Sequence, residues 1–226
     1  MNPLNDFITP DEMSEIENNC ENIGLSRLLL MENAASSVVN HLKLKFEALS
    51  LLKTVIVSGK GNNGGDGFAL ARHLSGYHSD VTVILIGNSS DIKTPESQIN
   101  YNILQRIKNI TRIEIIDPSD LDLVKLHLEH ADLIIDAIFG TGLTRPIRNL
   151  SAAILDLINS SSAYTLSLDI PSGLNSVTGK INGKSVNADE TITFHKMKKG
   201  LINNSKLSGE VHLMRIGIPI EAESLF

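Results

Sequence analysis

TVIVSGKGNNGGDG, residues 54–67, is the stretch that decides the fold. The β-branched run Thr54 to Val57 reads as a buried strand and passes at once into a glycine-rich loop that opens a helix. Gly59, Gly61, Gly64 and Gly65 let the backbone turn tightly and approach a ligand, and free N–H groups at the helix start attract an anion. Asp66 falls at the expected N-cap of that helix, which by itself accounts for an acid there. The loop formally contains G-x-G-x-x-G at Gly59, Gly61 and Gly64. A redox dinucleotide site also requires an acid at the end of the next strand to hold the ribose. That strand ends at Ile86, Gly87 and Asn88, with no acid. A P-loop requires Lys and then Ser or Thr after its second glycine, where Asp66 and Gly67 stand instead. The loop alone therefore points to a phosphate-bearing ligand.

Outward from this loop the chain alternates strands with helices, the pattern of a mostly parallel sheet covered on both faces. Strands are expected at Thr54 to Val57, Val81 to Ile86, Arg112 to Ile116, Leu133 to Ile135, Tyr164 to Leu168, Glu190 to Phe194 and Val211 to Arg215. Helices are expected between them at Gly67 to Leu74, Pro95 to Ile107, Leu121 to His130 and Ala152 to Asn159. Two more precede the sheet. Thr9, Pro10, Asp11 and Glu12 form a capping box that starts a helix running to about Gly24. From Ser26 to about Ala48 a second helix carries Leu29, Leu30, Ala34, Ala35, Val38, Val39 and Leu42 on one stripe. With no repeat or linker, residues 1–226 are expected to form a single three-layer α/β domain.

Two further loops follow strand ends, where such sheets bind ligands. In DAIFGTGLTRP, residues 136–146, Asp136 directly follows a buried apolar strand, an expensive place for an uncompensated carboxylate. Gly140, Thr141 and Gly142 allow close backbone approach, and Arg145 suits a phosphate or a plain solvated surface equally well. In DIPSG, residues 169–173, Asp169 repeats the strand-end carboxylate, Pro171 fixes the backbone and Ser172 presents a hydroxyl. Such oxygen-rich loops suit hard cations, and no Cys/His cluster in the sequence calls for zinc. His73, His127, His130 and His195 lack ligand spacing and are expected on helix faces or the surface. Cys20 is expected to be packed, and the Leu28 to Met31 stripe to be core.

The 226 residues carry a formal net charge of -6, with hydrophobic residues at 42% and charged residues at 20%. These values exclude disorder and argue against nucleic-acid binding, which needs a cationic face. Lys196, Lys198 and Lys199 form the only basic patch in the sequence. The single cysteine asks for no oxidising compartment, and the start MNPLNDFITPDEM offers no leader, so a cytoplasmic chain away from membranes is expected.

Taken together, LMENAA (Leu30 to Ala35), GKGNNGGDG (Gly59 to Gly67), ARHL (Ala71 to Leu74), DAIFGTGL (Asp136 to Leu143), DIPSGLNSVTG (Asp169 to Gly179) and ADETITFHKMKKGL (Ala188 to Leu201) resemble the successive blocks of the NAD(P)H-hydrate epimerases. The resemblance covers nearly the whole chain. It implies a three-layer αβα Rossmann-like fold with two N-terminal helices, and an isomerase that interconverts the R and S epimers of NADH and NADPH hydrated at C6 of the nicotinamide ring. It implies one potassium ion per subunit on Asn63, Asp136 and Ser172. Substrate contacts are implied at Asn62, Asn63, Gly64, Gly65 and Asp66, at Gly140, Thr141, Gly142, Leu143, Thr144, Arg145 and Pro146, and at Asp169. A homodimer or larger homo-oligomer and a fused or separate dehydratase are the implied partners.

The missing ribose acid fits an enzyme that accepts both hydrates. Asp169 is the candidate for a carboxyl that cycles between acid and base as the hydroxyl leaves and water returns to the other face. Two departures stand out: Thr144 and Arg145 replace a lysine that some relatives carry, and Lys199 stands where proline is usual, while Lys198 matches the family lysine. The chain also resembles the dimerisation region of an mRNA-decapping enhancer, a non-catalytic module of the same fold. The intact NNGGDG, DAIFG and DIPSG set favours the enzyme.

Overall fold

The computed structural model describes residues 7–223. At its amino end the Thr9 hydroxyl accepts from the Glu12 N–H at 3.3 Å while the Glu12 carboxylate accepts from the Thr9 N–H at 2.8 Å, and this reciprocal cap starts α1 (Pro10–Asn22). Ser26 caps α2 (Arg27–Lys45), which buries Leu30, Met31, Ala34, Ala35, Val38, Val39 and Leu42. Leu29, expected on that stripe, is instead 50% exposed. The helix stops before Ala48 because Phe46 turns extended and packs edge-on against Tyr164.

Seven strands follow: β1 (Lys53–Ser58), β2 (Asp80–Ile86), β3 (Ile110–Ile115), β4 (Leu133–Ala137), β5 (Tyr164–Leu168), β6 (Glu190–Phe194) and β7 (Glu210–Met214). They form one sheet in the order β3-β2-β1-β4-β5-β6-β7, with every pairing parallel. The connecting helices are α3 (Asn62–Ser75), α4 (Pro95–Leu104), α5 (Leu121–Glu129) and α6 (Asn149–Ser160). Short helices α7 (Lys199–Asn203), α8 (Ser205–Ser208) and α9 (Ile220–Glu223), which local periodicity does not announce, complete the described elements.

Alternation along the strands separates two cores. Ile56, Val83, Leu85, Ile135 and Leu166 face the layer of α1 to α4, whereas Val55, Val57, Ile84 and Ile134 meet Val124 and Leu128 of α5 and Ile154, Leu155 and Ile158 of α6. This is a three-layer αβα Rossmann-like arrangement. Full burial of a side chain such as Phe68 at the centre of α3 contributes about 1.5–3 kcal/mol. No helix among the described residues is long and apolar enough to cross a membrane.

One boundary differs in a way that matters. The helix expected from Gly67 begins at Asn62, so NNGGD is its first turn rather than a loop, and Asp66 lies inside it rather than at the N-cap, which Gly61 occupies. Glycine is a poor helix former, but tertiary closeness overrides propensity here. A Cβ on Gly64 would overlap the Gly59 carbonyl, and one on Gly67 would lie 2.7 Å from Ala137 Cβ and Ser58 Oγ. The glycines thus let α3 seat directly on the ends of β1 and β4.

Candidate functional site

The sheet changes direction between β1 and β4, with β2 and β3 on one side and β5 to β7 on the other. A crevice opens beyond the carboxyl ends of strands at such a point. Here it is a cleft of about 1170 Å³ lined by Asn62, Asn63 and Asp66 of α3, the segment Phe139 to Arg145, and Asp169 and Lys198. Met13, Glu17, Arg27 and Leu30 from α1 and α2 close the facing wall. Apart from the LMENAA block of α2, those two helices carried no local sign of a site in the sequence, yet they shape the cleft. Arg27 Nε lies 3.3 Å from Glu17, whose carboxyl is raised by burial against the pull of that guanidinium.

The expected site residues divide into those on the cleft surface and those behind it. Asn62, Asn63, Asp66, Gly140, Thr141, Gly142, Leu143, Thr144, Arg145 and Asp169 line the cleft. Gly64 and Gly65 lie behind it, buried against Gly59 and against Ser97 and Met31, so they position α3. Pro146, Asp136 and Ser172 are also outside the lining.

Asp136 lies within β4 rather than after it, with no exposure to solvent. Ser167 Oγ donates to its carboxylate at 2.8 Å, the Ser172 N–H at 2.7 Å, Ser172 Oγ at 2.5 Å and the Ile138 N–H at 3.3 Å. Burial raises this carboxyl, and the same hydrogen bonds oppose the rise. The Phe139 N–H in turn donates to Ser172 Oγ at 2.8 Å, tying the DAIFG and DIPSG segments together. At the start of α3, the buried Asn63 presents Oδ1 and Nδ2 without a hydrogen-bond partner among the described residues. Its amide packs on Gly140, where a Cβ would come 3.4 Å from Asn63 Cβ. With the buried Asp136 carboxylate and the Ser172 hydroxyl, this amide oxygen makes an all-oxygen donor set of the kind that fits a hard cation.

Asp169, the first residue after β5, has φ +66, a left-handed conformation that aspartate tolerates better than most residues. The turn aims its carboxylate back toward β6, where the Thr193 hydroxyl donates at 3.4 Å. Lys198, 2% exposed, places Nζ 2.6 Å from Asp169 Oδ1 and donates to the Phe194 carbonyl at 2.7 Å. The expected basic patch does not form. Lys198 turns inward, Lys196 pairs with Glu223 at 2.7 Å, and Lys199 alone of the three is exposed.

Asp66 shares the cleft with this pair. Desolvation holds its carboxyl well above the usual range, the negative charges of Asp169 and Glu17 add to the rise, and Lys198 opposes it. The cleft therefore sets an ion-paired carboxylate beside a carboxyl whose pKa burial raises. His195, expected at the surface, is 1% exposed, and Cys20 is packed in the core.

Comparison with known proteins agrees with this geometry. A family profile described as YjeF-related protein N-terminus matches residues 27–200. An NAD(P)H-hydrate epimerase from Nitrosopumilus maritimus is 39% identical over 216 residues, covering 96% of this chain and 97% of the relative. A bifunctional NAD(P)H-hydrate repair enzyme Nnr from Hyperthermus butylicus is 40% identical over 225 residues, which span 97% of this chain but 40% of that longer protein. The crystal structure of yeast ynu0 (YNL200c) superposes with a TM-score of 0.76 at 22% identity, over 93% of this chain and 88% of the yeast chain, and shares the fold.

Proposed function

The chain belongs to the family of YjeF-related protein N-termini, and on that premise we propose that it is an NAD(P)H-hydrate epimerase acting as one unit over residues 1–226 in the cytoplasm. The observation that carries the proposal is the Asp169–Lys198 pair at 2.6 Å on the wall of the cleft at the switch point.

The C6 hydroxyl of the hydrated ring leaves as water when Asp169 passes it the proton of the Asp169–Lys198 pair, helped by the ring nitrogen lone pair. Water then adds to the opposite face and gives a proton back through the Asp169 carboxylate to Lys198, which resets the site. Lys198, anchored on the Phe194 carbonyl, fixes the carboxylate and supplies the proton that cycles. Asp66, whose carboxyl is raised by burial and by the nearby charge of Asp169, lines the same cleft. The turn Gly59 to Asn62 and the N–H groups opening α3 suit the pyrophosphate, with Arg145 at the rim. Asn62, Asn63, Asp66 and the stretch Gly140 to Arg145 serve as the substrate surface. Asn63, Asp136 and Ser172 would hold one potassium ion per subunit, which supplies positive charge to the buried Asp136 carboxylate and links the three segments. A homodimer or larger homo-oligomer and a dehydratase, fused or separate, complete the proposal, with no role for nucleic acid.

The test follows the R and S hydrates of NADPH by proton NMR or chiral chromatography, with the protein in potassium or sodium salt and against a no-protein control. Equilibration faster than the spontaneous rate is expected. A folded protein that gives no acceleration would instead support a non-catalytic nucleotide-binding module.

A further inference from the structure

At the far end of the sheet from the cleft, three side chains from separate segments converge. His41 lies on α2, Glu190 is the first residue of β6, and His212 is in β7. The register pairs Glu190 with Glu210 and Ile192 with His212, so Glu190, Glu210 and His212 share the sheet face that α2 covers. Phe194, on the cleft, ends the same strand four residues above Glu190, about 13 Å away at the rise of an extended chain.

His41 Nε2 lies 2.5 Å and His212 Nε2 2.9 Å from the same atom, Glu190 Oε1. The two rings are 4.5 Å apart and tilted by 48°. Among the described residues this is the cluster whose three ligand atoms all fall within 4.8 Å of one another. The second oxygen, Glu190 Oε2, is held separately by Tyr164 Oη at 2.9 Å and Lys45 Nζ at 3.2 Å. Its two partners therefore orient the carboxylate and leave Oε1 to the imidazoles, the outer-shell bracing that metal ligands characteristically receive. Glu210, with an Oε1 3.3 Å from His212 Nε2 and a side chain 66% exposed, is free to swing in as a fourth ligand. His41 and His212 are 15% and 29% exposed, which gives an ion an entry path.

We propose that His41, Glu190 and His212 form a binding site for one borderline divalent transition-metal ion, with Glu210 or water in the fourth position. Two imidazoles and one carboxylate match the donor preference of Zn²⁺ or Co²⁺, and three ligands plus an adaptable fourth match tetrahedral coordination. Calcium and magnesium require mostly oxygen ligands and fit poorly. The site is distinct from the potassium ligands proposed above, which offer oxygen alone, and it stands whether or not the epimerase reading holds.

The experiment titrates the tag-free, chelator-treated full chain with Zn²⁺ by calorimetry and with Co²⁺ by visible absorption. One equivalent of Zn²⁺ per chain is expected, with ligand-field bands of a tetrahedral N/O site for Co²⁺. His41→Gln and His212→Asn should each weaken binding at least tenfold, and His212→Cys, which keeps a ligand, should retain it. Should a variant fail to fold, NMR of the unmodified chain supplies the second readout, because Zn²⁺ should shift the ring resonances of two of the seven histidines. The absence of saturable binding overturns the proposal. So does one-equivalent binding indifferent to both His variants, or zinc that leaves all histidine rings unchanged.

Discussion

The ammonium of Lys198 lies 2.6 Å from Asp169 Oδ1 and 2.7 Å from the Phe194 carbonyl oxygen, on a side chain only 2% exposed. A cation buried this deeply is retained only with good partners, and its partners here are the end of β6 and the left-handed residue that follows β5. One ion pair thus locks two strand ends together on the wall of the cleft.

Asp169→Asn keeps the side-chain shape and a residue that tolerates positive φ, and removes the proton carrier. The R/S interconversion rate should fall by about 10²–10⁴-fold, the usual worth of a positioned acid or base, with KM changed little. A full rate in the variant would reduce Asp169 to a binding contact.

Lys198→Met strips Asp169 of its buried partner and should destabilise the fold by about 3 kcal/mol in urea unfolding. Combining it with Asp169→Asn should cost less than the sum of the two single changes by about 1–3 kcal/mol, because the uncompensated charge is gone. Strict additivity would show that the pair is not coupled.

Asn63 presents a buried amide without a hydrogen-bond partner among the described residues, so Asn63→Ala should leave the melting temperature in sodium chloride nearly unchanged. Potassium chloride should raise the melting temperature of the unmodified chain, by mass action on the folded state, and should fail to raise that of the variant. An equal potassium increment in both would remove Asn63 from the ion site.

Helix propensity favours alanine over glycine by about 1 kcal/mol, yet Gly64→Ala should lower stability by about 1–3 kcal/mol because its Cβ would overlap the Gly59 carbonyl. Gly61→Ala, with nothing within 4 Å of its Cβ, should fall within about 0.5 kcal/mol of the unmodified chain. Thermal melts of the two variants separate propensity from packing.

Burial lowers the His195 imidazole to about 4 from its ordinary 6.5, so between those values the unfolded chain binds more protons than the folded one. Stability then rises with pH through this window and is lost as pH falls from 6.5 toward 4, by about 3 kcal/mol in total. His195→Asn, which accepts the φ of +66, should flatten that part of the stability–pH curve relative to the unmodified chain. Parallel curves would show that His195 does not titrate with unfolding.

All seven strands were legible in the sequence, because each is a short β-branched or apolar run bounded by turn residues, and their observed limits lie within one or two residues of the expected ones. The reciprocal cap at Thr9 and Glu12 was equally readable, since both partners sit within one helical turn. The strand-end segments that line the cleft were identified by local composition, and parallel topology carries such segments to one edge. What was misread depends on contacts between distant segments. The start of α3 was displaced because its glycines are selected by the nearness of Gly59 and Ala137, which no local rule anticipates. Lys198 read as part of a basic patch and as the match to the family lysine, but no local rule shows that it turns inward to meet Asp169.

By itself, then, the sequence determined the order of strands and helices, the glycine-rich turn and the strand-end carboxylates, all products of short-range propensity and periodicity. Only the tertiary structure decided that α1 and α2 wall the cleft, that Lys198 meets Asp169, that Asn63 has no hydrogen-bond partner among the described residues and that His41, Glu190 and His212 converge. Those relationships arise when the seven-stranded sheet closes its order β3-β2-β1-β4-β5-β6-β7. Packing then brings together residues whose separation along the chain carries no record of their separation in space.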